Sequence, residues 1–188
     1  MSDVNLSMTS YAILGLLAFD GESETKGLTG YELKQRADRT LRFYWTSPAM
    51  SQIYTELDKL LQGDLVHAVE QTEGRRTTRR FKISDEGRTQ VERWLSAPVD
   101  DPFPVLKHPV ALRLLMGRLT STEHVQEMLD DYLERLAVQR KELEAVREML
   151  GDVDELRYAA RVADWGMSYY DSEKDIVERI RRDVEERG

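Results

Sequence analysis

The sequence predicts a mostly α-helical protein: an N-terminal winged helix-turn-helix with a two-stranded β wing, followed by a C-terminal domain of long helices. Three observations predict this fold. Short helical patterns up to residue 62 give way to two runs in which apolar and polar residues alternate. Three prolines then fall within residues 98–104, and beyond them the apolar residues keep a spacing of alternating threes and fours.

In the first part, Tyr11-Ala12-Ile13-Leu14-Gly15-Leu16-Leu17 predicts a mostly buried helix that stops near Asp20-Gly21. A polar loop leads to Thr29, an N-cap for a helix from Gly30 to about Arg39, with Tyr31, Leu33 and Ala37 on its apolar side. Ser47-Pro48 joins an N-cap to a proline at the first helical position, where the missing N–H removes no hydrogen bond. The helix it opens should run to about Gln62 and end at Gly63, since glycine enters the left-handed C-terminal conformation at little cost. Residues 65–69 and 80–83 alternate as strands do, with Glu73-Gly74-Arg75-Arg76 between them, so they should form a hairpin with a basic tip. Ser84-Asp85-Glu86-Gly87 then opens a helix bearing Val91, Trp94 and Leu95.

The prolines place a linker at 98–108 between a winged helix-turn-helix domain at 1–97 and a helical domain at 109–188. A helix from about Pro109 to Arg118 leads to the capping signal Thr120-Ser121-Thr122-Glu123. Val125, Leu129, Tyr132, Leu136, Gln139, Leu143, Val146 and Leu150 then mark a coiled-coil seam. After Gly151 the same rhythm passes through Leu156, Ala159, Ala163, Gly166, Tyr170, Glu173, Val177, Ile180 and Val184. Two such helices should pair antiparallel. They leave apolar stripes that one chain cannot cover, which implies a homodimer.

Formal net charge is −8, which at first opposes nucleic-acid binding, because affinity for DNA begins with neutralised phosphates. Its distribution reverses the inference. Residues 1–98 carry 13 Lys and Arg against 14 Asp and Glu, whereas residues 99–188 carry 14 against 21. Arg75, Arg76, Arg79, Arg80 and Lys82 fall within eight residues at the hairpin, a local basic patch in an acidic molecule. On the helix after Ser47, the residues Met50, Ile53, Leu57, Leu60 and Leu61 share one face, so Gln52, Thr55 and Lys59 point away from the core, with Ser51 at the edge and Tyr54 nearer the buried side. Glutamine can bond adenine bidentately, serine and threonine can bond bases or phosphates, and lysine neutralises phosphate. Tyr31, Ser47, Ser51, Gln52, Tyr54, Thr55, Lys59, Arg75, Arg76, Arg79 and Arg80 are therefore the candidate contacts to double-stranded DNA. The competing reading is a solvated surface helix and a decorated hairpin. At the level of function, the alternative is a winged-helix protein-interaction module that binds no DNA.

The chain resembles the PadR family of transcriptional regulators. Four pieces carry the resemblance: Tyr11-Ala12-Ile13-Leu14-Gly15-Leu16-Leu17, Thr29-Gly30-Tyr31-Glu32-Leu33, Ser51-Gln52-Ile53-Tyr54-Thr55-Glu56-Leu57-Asp58-Lys59-Leu60 and Phe81-Lys82-Ile83-Ser84-Asp85-Glu86-Gly87. The C-terminal half is similar to the subfamily with a long helical dimerisation domain. The resemblance implies a dimer on a pseudo-palindromic operator, usually repression of a nearby gene, and often release by a small effector.

Tyr158, Val162, Trp165, Tyr169 and Ile176 form a second stripe on the last helix. It is either dimer core or one wall of a site for a small aromatic or apolar effector, for which Tyr158, Val162, Trp165 and Tyr169 are the candidates. Nothing suggests an enzyme. His67, His108 and His124 lack metal-ligand spacing and read as isolated surface histidines, no glycine-rich phosphate loop is present, and no serine stands in a nucleophile motif. No metal or cofactor is expected. The absence of cysteine removes disulfides and thiolate metal sites, and Tyr11 to Phe19 is too short an apolar run to span a bilayer. A cytoplasmic protein without membrane contact is the expectation.

Overall fold

A computed structural model describes residues 6–19, 26–73, 76–99 and 107–187. The chain divides into two compact units, Met1–Asp100 and Asp101–Gly188. It is mostly helical, with a two-stranded antiparallel sheet in the first unit. No described helix is long and apolar enough to cross a membrane.

The first unit runs α1 (Met8–Leu17), α2 (Gly30–Thr40), α3 (Met50–Gln62), β1 (Val66–Glu73), β2 (Arg76–Ile83) and α4 (Asp85–Ser96). Ile13, Leu14 and Leu17 of α1, Leu33 and Ala37 of α2, and Ile53, Leu57 and Leu60 of α3 meet in one core with Leu65, Val66, Phe81 and Ile83. Three helical stripes thus bury one another and the base of the hairpin. Strands β1 and β2 pair in register from Val66 opposite Ile83 to Glu73 opposite Arg76, a longer wing than the alternating residues alone predict. Leu28 adds a single bridge to Phe81, with N–H to O distances of 2.9 and 2.8 Å. That bridge depends on Gly27, whose φ of +72° suits glycine and where a Cβ would lie 2.7 Å from the Phe81 carbonyl oxygen. Helix α1 ends at Leu17, three residues before the stop expected near Asp20-Gly21, and Asp20, Gly21 and the tip residues Gly74 and Arg75 lie outside the described residues.

Several local expectations are corrected. Ser47 does not cap α3, and Pro48 is not its first residue. The N-cap is Ala49, without a side-chain bond, while Ser47 donates to Asp38 Oδ1 at 2.6 Å and accepts from Lys34 at 3.1 Å. Pro48 is buried instead. At the other end, Gly63 keeps a φ of −89° and Asp64 takes the left-handed conformation at +55°. Leu65 N–H then bonds Leu60 and Asp64 N–H bonds Leu61, the paired bonds of a Schellman motif with aspartate in the place usually held by glycine. On α2, Tyr31 faces out rather than joining the apolar side. On α4, Leu95 is exposed and Trp94 stacks on Tyr11 at 4.6 Å between ring centroids.

The second unit contains α5 (Pro109–Leu115), α6 (Thr122–Leu150) and α7 (Arg157–Arg187), with 3-10 turns at Gly117–Leu119 and Asp154–Leu156. The helix expected to reach Arg118 therefore ends three residues early and tightens into a turn. Val125, Leu129, Leu136, Leu143 and Leu150 are buried along α6, as the seam predicts, against Ala160, Ala163, Gly166 and Val177 of α7. The helices run antiparallel: Arg147 pairs with Asp164 and Arg140 with Asp171, at 2.9 and 2.8 Å, and Arg181 with Asp130. A Cβ at Gly166 would lie 2.6 Å from Leu143 Cδ2, so the helices approach closely there.

Candidate nucleic-acid interface

The start of α2, Tyr54 of α3 and the two wing strands border one open groove of about 530 Å³, with Tyr31, Glu32, Tyr54, Thr78, Arg79 and Arg80 on its walls. Local capping sets its first wall. Thr29 Oγ1 accepts the Glu32 N–H at 3.1 Å, and Glu32 Oε2 accepts the Thr29 N–H at 2.7 Å, a complete capping box. Arg80 continues this network, donating from Nη2 to the Gly27 carbonyl at 3.0 Å and to Glu32 at 3.0 Å. Burial raises the Glu32 pKa, but the bonds from Thr29 and the charge and bonding of Arg80 together leave it below its usual value.

Tyr54 is the α3 residue on the groove, and the outer face of the helix lies beyond it. Ser51, Gln52, Thr55 and Lys59 are exposed, while Ile53, Leu57 and Leu60 are buried beneath them. Thr55 Oγ1 donates to the Ser51 carbonyl at 2.9 Å, which leaves its lone pairs outward. Tyr54 differs from its expected place. It is 47% exposed, and its ring lies against Gly30, where a Cβ would meet Cζ at 2.7 Å. Tyr31, 60% exposed, accepts from Gln35 Nε2 at 3.0 Å on the same side.

Arg79 and Arg80 part company on β2, because successive strand residues face opposite ways. Arg79 is exposed, with its guanidinium 5.2 Å from the Phe81 ring centroid. Arg80 is turned inward on Glu32, so it is already engaged by protein, unlike the outward group its sequence position suggests. Arg75 lies outside the described residues, and for Arg76 only the backbone is described, opposite Glu73. Ser47 is tied to Asp38, as above, and stands behind the start of α3.

Reading the sequence missed Glu56. It belongs to the apolar face of α3 and is buried, accepting from Ser10 Oγ at 2.5 Å, Ser7 Oγ at 3.0 Å and Lys59 Nζ at 2.7 Å. Burial pushes its carboxyl up, yet the hydrogen bonds from Lys59, Ser10 and Ser7 and the Lys59 charge hold it below the usual carboxylate range. The available signal was its spacing: Ile53, Glu56, Leu57 and Leu60 share one face at helical period.

In the second unit, Tyr158 and Trp165 are 72% and 75% exposed, and Tyr169 is also exposed, while Val162 is half-buried. These side chains line the outer face of α7, and any cavity using them needs a further wall. His108, read as an isolated surface histidine, is half-buried and bonded. Its Nδ1 accepts the Ala111 N–H at 3.1 Å, capping α5, which assigns the proton to Nε2. Nε2 then faces Glu173 Oε1 at 2.8 Å and the Tyr132 hydroxyl at 2.9 Å. Burial and the Glu173 carboxylate both raise the Tyr132 pKa, so its hydroxyl stays protonated and donates to Glu173. No group of residues suited to hold a metal ion occurs among the described residues.

No family model matches the chain. Over 77 residues it is 34% identical to the probable transcriptional regulator Rv1176c of Mycobacterium tuberculosis, a match that spans 40% of this chain and only 40% of that protein. Among solved structures it is similar to Bacillus subtilis PadR in complex with operator DNA, with a TM-score of 0.80 and 21% identity over 95% of this chain and 99% of that one. The same PadR in complex with p-coumaric acid gives a TM-score of 0.69 and 22% identity over 94% of each chain. The PadR-like transcriptional regulator BC1756 from Bacillus cereus gives 0.76 and 18% identity over 98% of this chain and 99% of that one. These relatives are transcriptional regulators rather than enzymes. Three helices and a wing, joined in sequence to a long helical pair, give this chain the fold of PadR and the PadR-like transcriptional regulators.

Proposed function

We propose that the protein is a PadR-type, sequence-specific DNA-binding transcriptional repressor that acts as a homodimer and is released by a small aromatic or apolar effector. One observation carries the reading: Ser51, Gln52, Thr55 and Lys59 stand exposed on α3 beside the wing that bears Arg79. A helix of this kind fits the major groove, and the wing reaches the neighbouring backbone. The absence of a side-chain cap on α3 agrees with this, since uncapped first-turn N–H groups can donate to phosphate oxygens. The operator complex of the similar Bacillus subtilis PadR supports the same use of the fold. In this reading Tyr31, Tyr54, Arg75 and Arg76 add backbone contacts, Ser47 sets the start of α3, and Arg80 holds the wing.

The dimer is supported by the exposed Leu112, Leu115, Met116 and Leu119 around α5 and by the aromatic stripe of α7, more apolar surface than an isolated helical pair leaves in water. Two reading helices serve successive major grooves when their half-sites lie about 34 Å apart, so an effector that changes their separation releases DNA.

Duplex binding measured across a salt series tests the central reading. Affinity should be saturable and fall steeply with salt, and replacing Arg75 and Arg76 by Ala should flatten the slope by roughly 0.9 per lost phosphate contact. No saturable retention at low salt would instead favour the protein-interaction alternative. For the effector, titration of phenolic acids should quench Trp fluorescence in the wild-type chain and much less in Trp165→Phe. Equal quenching in both would remove Trp165 from the site.

A further inference from the structure

Among the described residues, Glu56 is the charged side chain that the N-terminal unit buries, at 6% exposure, and it lies directly under the outward face of α3. Its two oxygens are divided between two tasks. Oε2 accepts from Ser7 and Ser10, which belong to the cap and first turn of α1. Oε1 accepts from Lys59, whose side chain is otherwise 61% exposed. A lysine on a surface helix ordinarily samples many rotamers, because its four-carbon stem is flexible. Here the ammonium is tethered to a carboxylate that α1 itself holds in place. Two of its N–H donors remain for an outside acceptor.

We propose that Glu56 is a specificity-determining positioning residue, confining the Lys59 ammonium to one place on the reading face and fixing the rotation of α3 against α1. This rests on α3 being the helix that reads DNA. A buried negative charge close to the interface weakens attraction to every duplex, since it opposes the phosphates as much as it attracts Lys59. What it adds is discrimination: a restrained lysine meets its partner at one position and loses it when the sequence shifts the groove edge.

The test uses the full-length chain, a duplex selected by that chain from a random pool, and a scrambled duplex of equal length and composition. In Glu56→Gln the amide oxygen still accepts from Ser7 and Ser10 while the charge on Lys59 is released. Binding to the scrambled duplex should tighten, and preference for the selected duplex should fall by roughly tenfold, the size of one well-placed contact. In a Lys59→Met background the same substitution should change the preference by less than about twofold, because the coupled partner is gone. Equal weakening on both duplexes, or a loss of preference that persists without Lys59, shows that Glu56 only supports the fold and overturns the proposal. If Glu56→Gln melts before assay, Ser10→Ala is the second variant, and it should lower preference without tightening scrambled binding; an unchanged preference there overturns the proposal. Absence of saturable binding by the wild-type chain overturns the DNA reading and this proposal together, whereas normal wild-type binding with unaltered Glu56→Gln preference overturns this proposal alone.

Discussion

Neighbouring arginines on β2 have different fates because a strand sends alternate side chains to opposite faces. Arg80 meets Glu32 and the Gly27 carbonyl, whereas Arg79 covers the Phe81 ring and remains open to solvent. Arg79→Ala should therefore weaken binding to all duplexes and reduce the salt slope, while its melting temperature stays near that of the wild type. Arg80→Ala should lower stability by about 1–2 kcal/mol through the lost charge-assisted bonds, seen in denaturant melts. If Arg80→Ala melts like the wild type, the inward bond to Glu32 is not an anchor. The alternation itself was legible in Arg80-Phe81-Lys82-Ile83. The inward partner was not, because Leu28, Gly27 and Glu32 are some 50 residues away in sequence. Glu56 illustrates the same limit: its helical face was readable, but the two serines that make its burial tolerable sit on α1.

Helix ends follow a similar rule. Thr29, Ser84 and Ser121 cap their helices as their spacing suggests, each bonding an N–H three residues on. Ser47 and His108 mislead because their partners are remote: Asp38 nine residues back for one, Tyr132 and Glu173 for the other. Long seams were the most legible elements, since α6 repeats the same apolar choice every seven residues from Leu129 to Leu150. The junction of wing and α4 is a sharper case. Gly87 follows the Ser84 cap, and a Cβ there would come within 2.2 Å of the Leu65 carbonyl oxygen, a backbone atom that cannot swing aside. Gly87→Ala should cost about 1–3 kcal/mol in chemical denaturation, in the range of overpacked cores. A change below about 0.5 kcal/mol would contradict a close approach of α4 to the Leu65 carbonyl.

At the scale of the whole molecule, the acidic balance sits in the helical half, and the basic residues cluster at the wing. In the proposed function this separation gives a chain of net charge −8 a cationic wing for DNA. In the proposed assembly a second copy covers the apolar residues left outward on α5 and α7. Light scattering at micromolar concentration should return twice the 21.8 kDa chain mass, and a strictly monomeric mass would contradict the assembly. The proline-rich break and the heptad spacing are local signals, so both can be read from the sequence. The fate of the exposed apolar rows was less legible, since the same aromatic stripe serves a dimer or an effector.

Selection of duplexes from a random pool by the full-length protein tests the central claim most directly. The account predicts enrichment of an inverted repeat whose half-sites are centred about one helical turn apart, lost when Gln52, Thr55 and Lys59 are all replaced by Ala. A pool that emerges without enrichment, or an inverted repeat that the triple variant selects equally well, would contradict it.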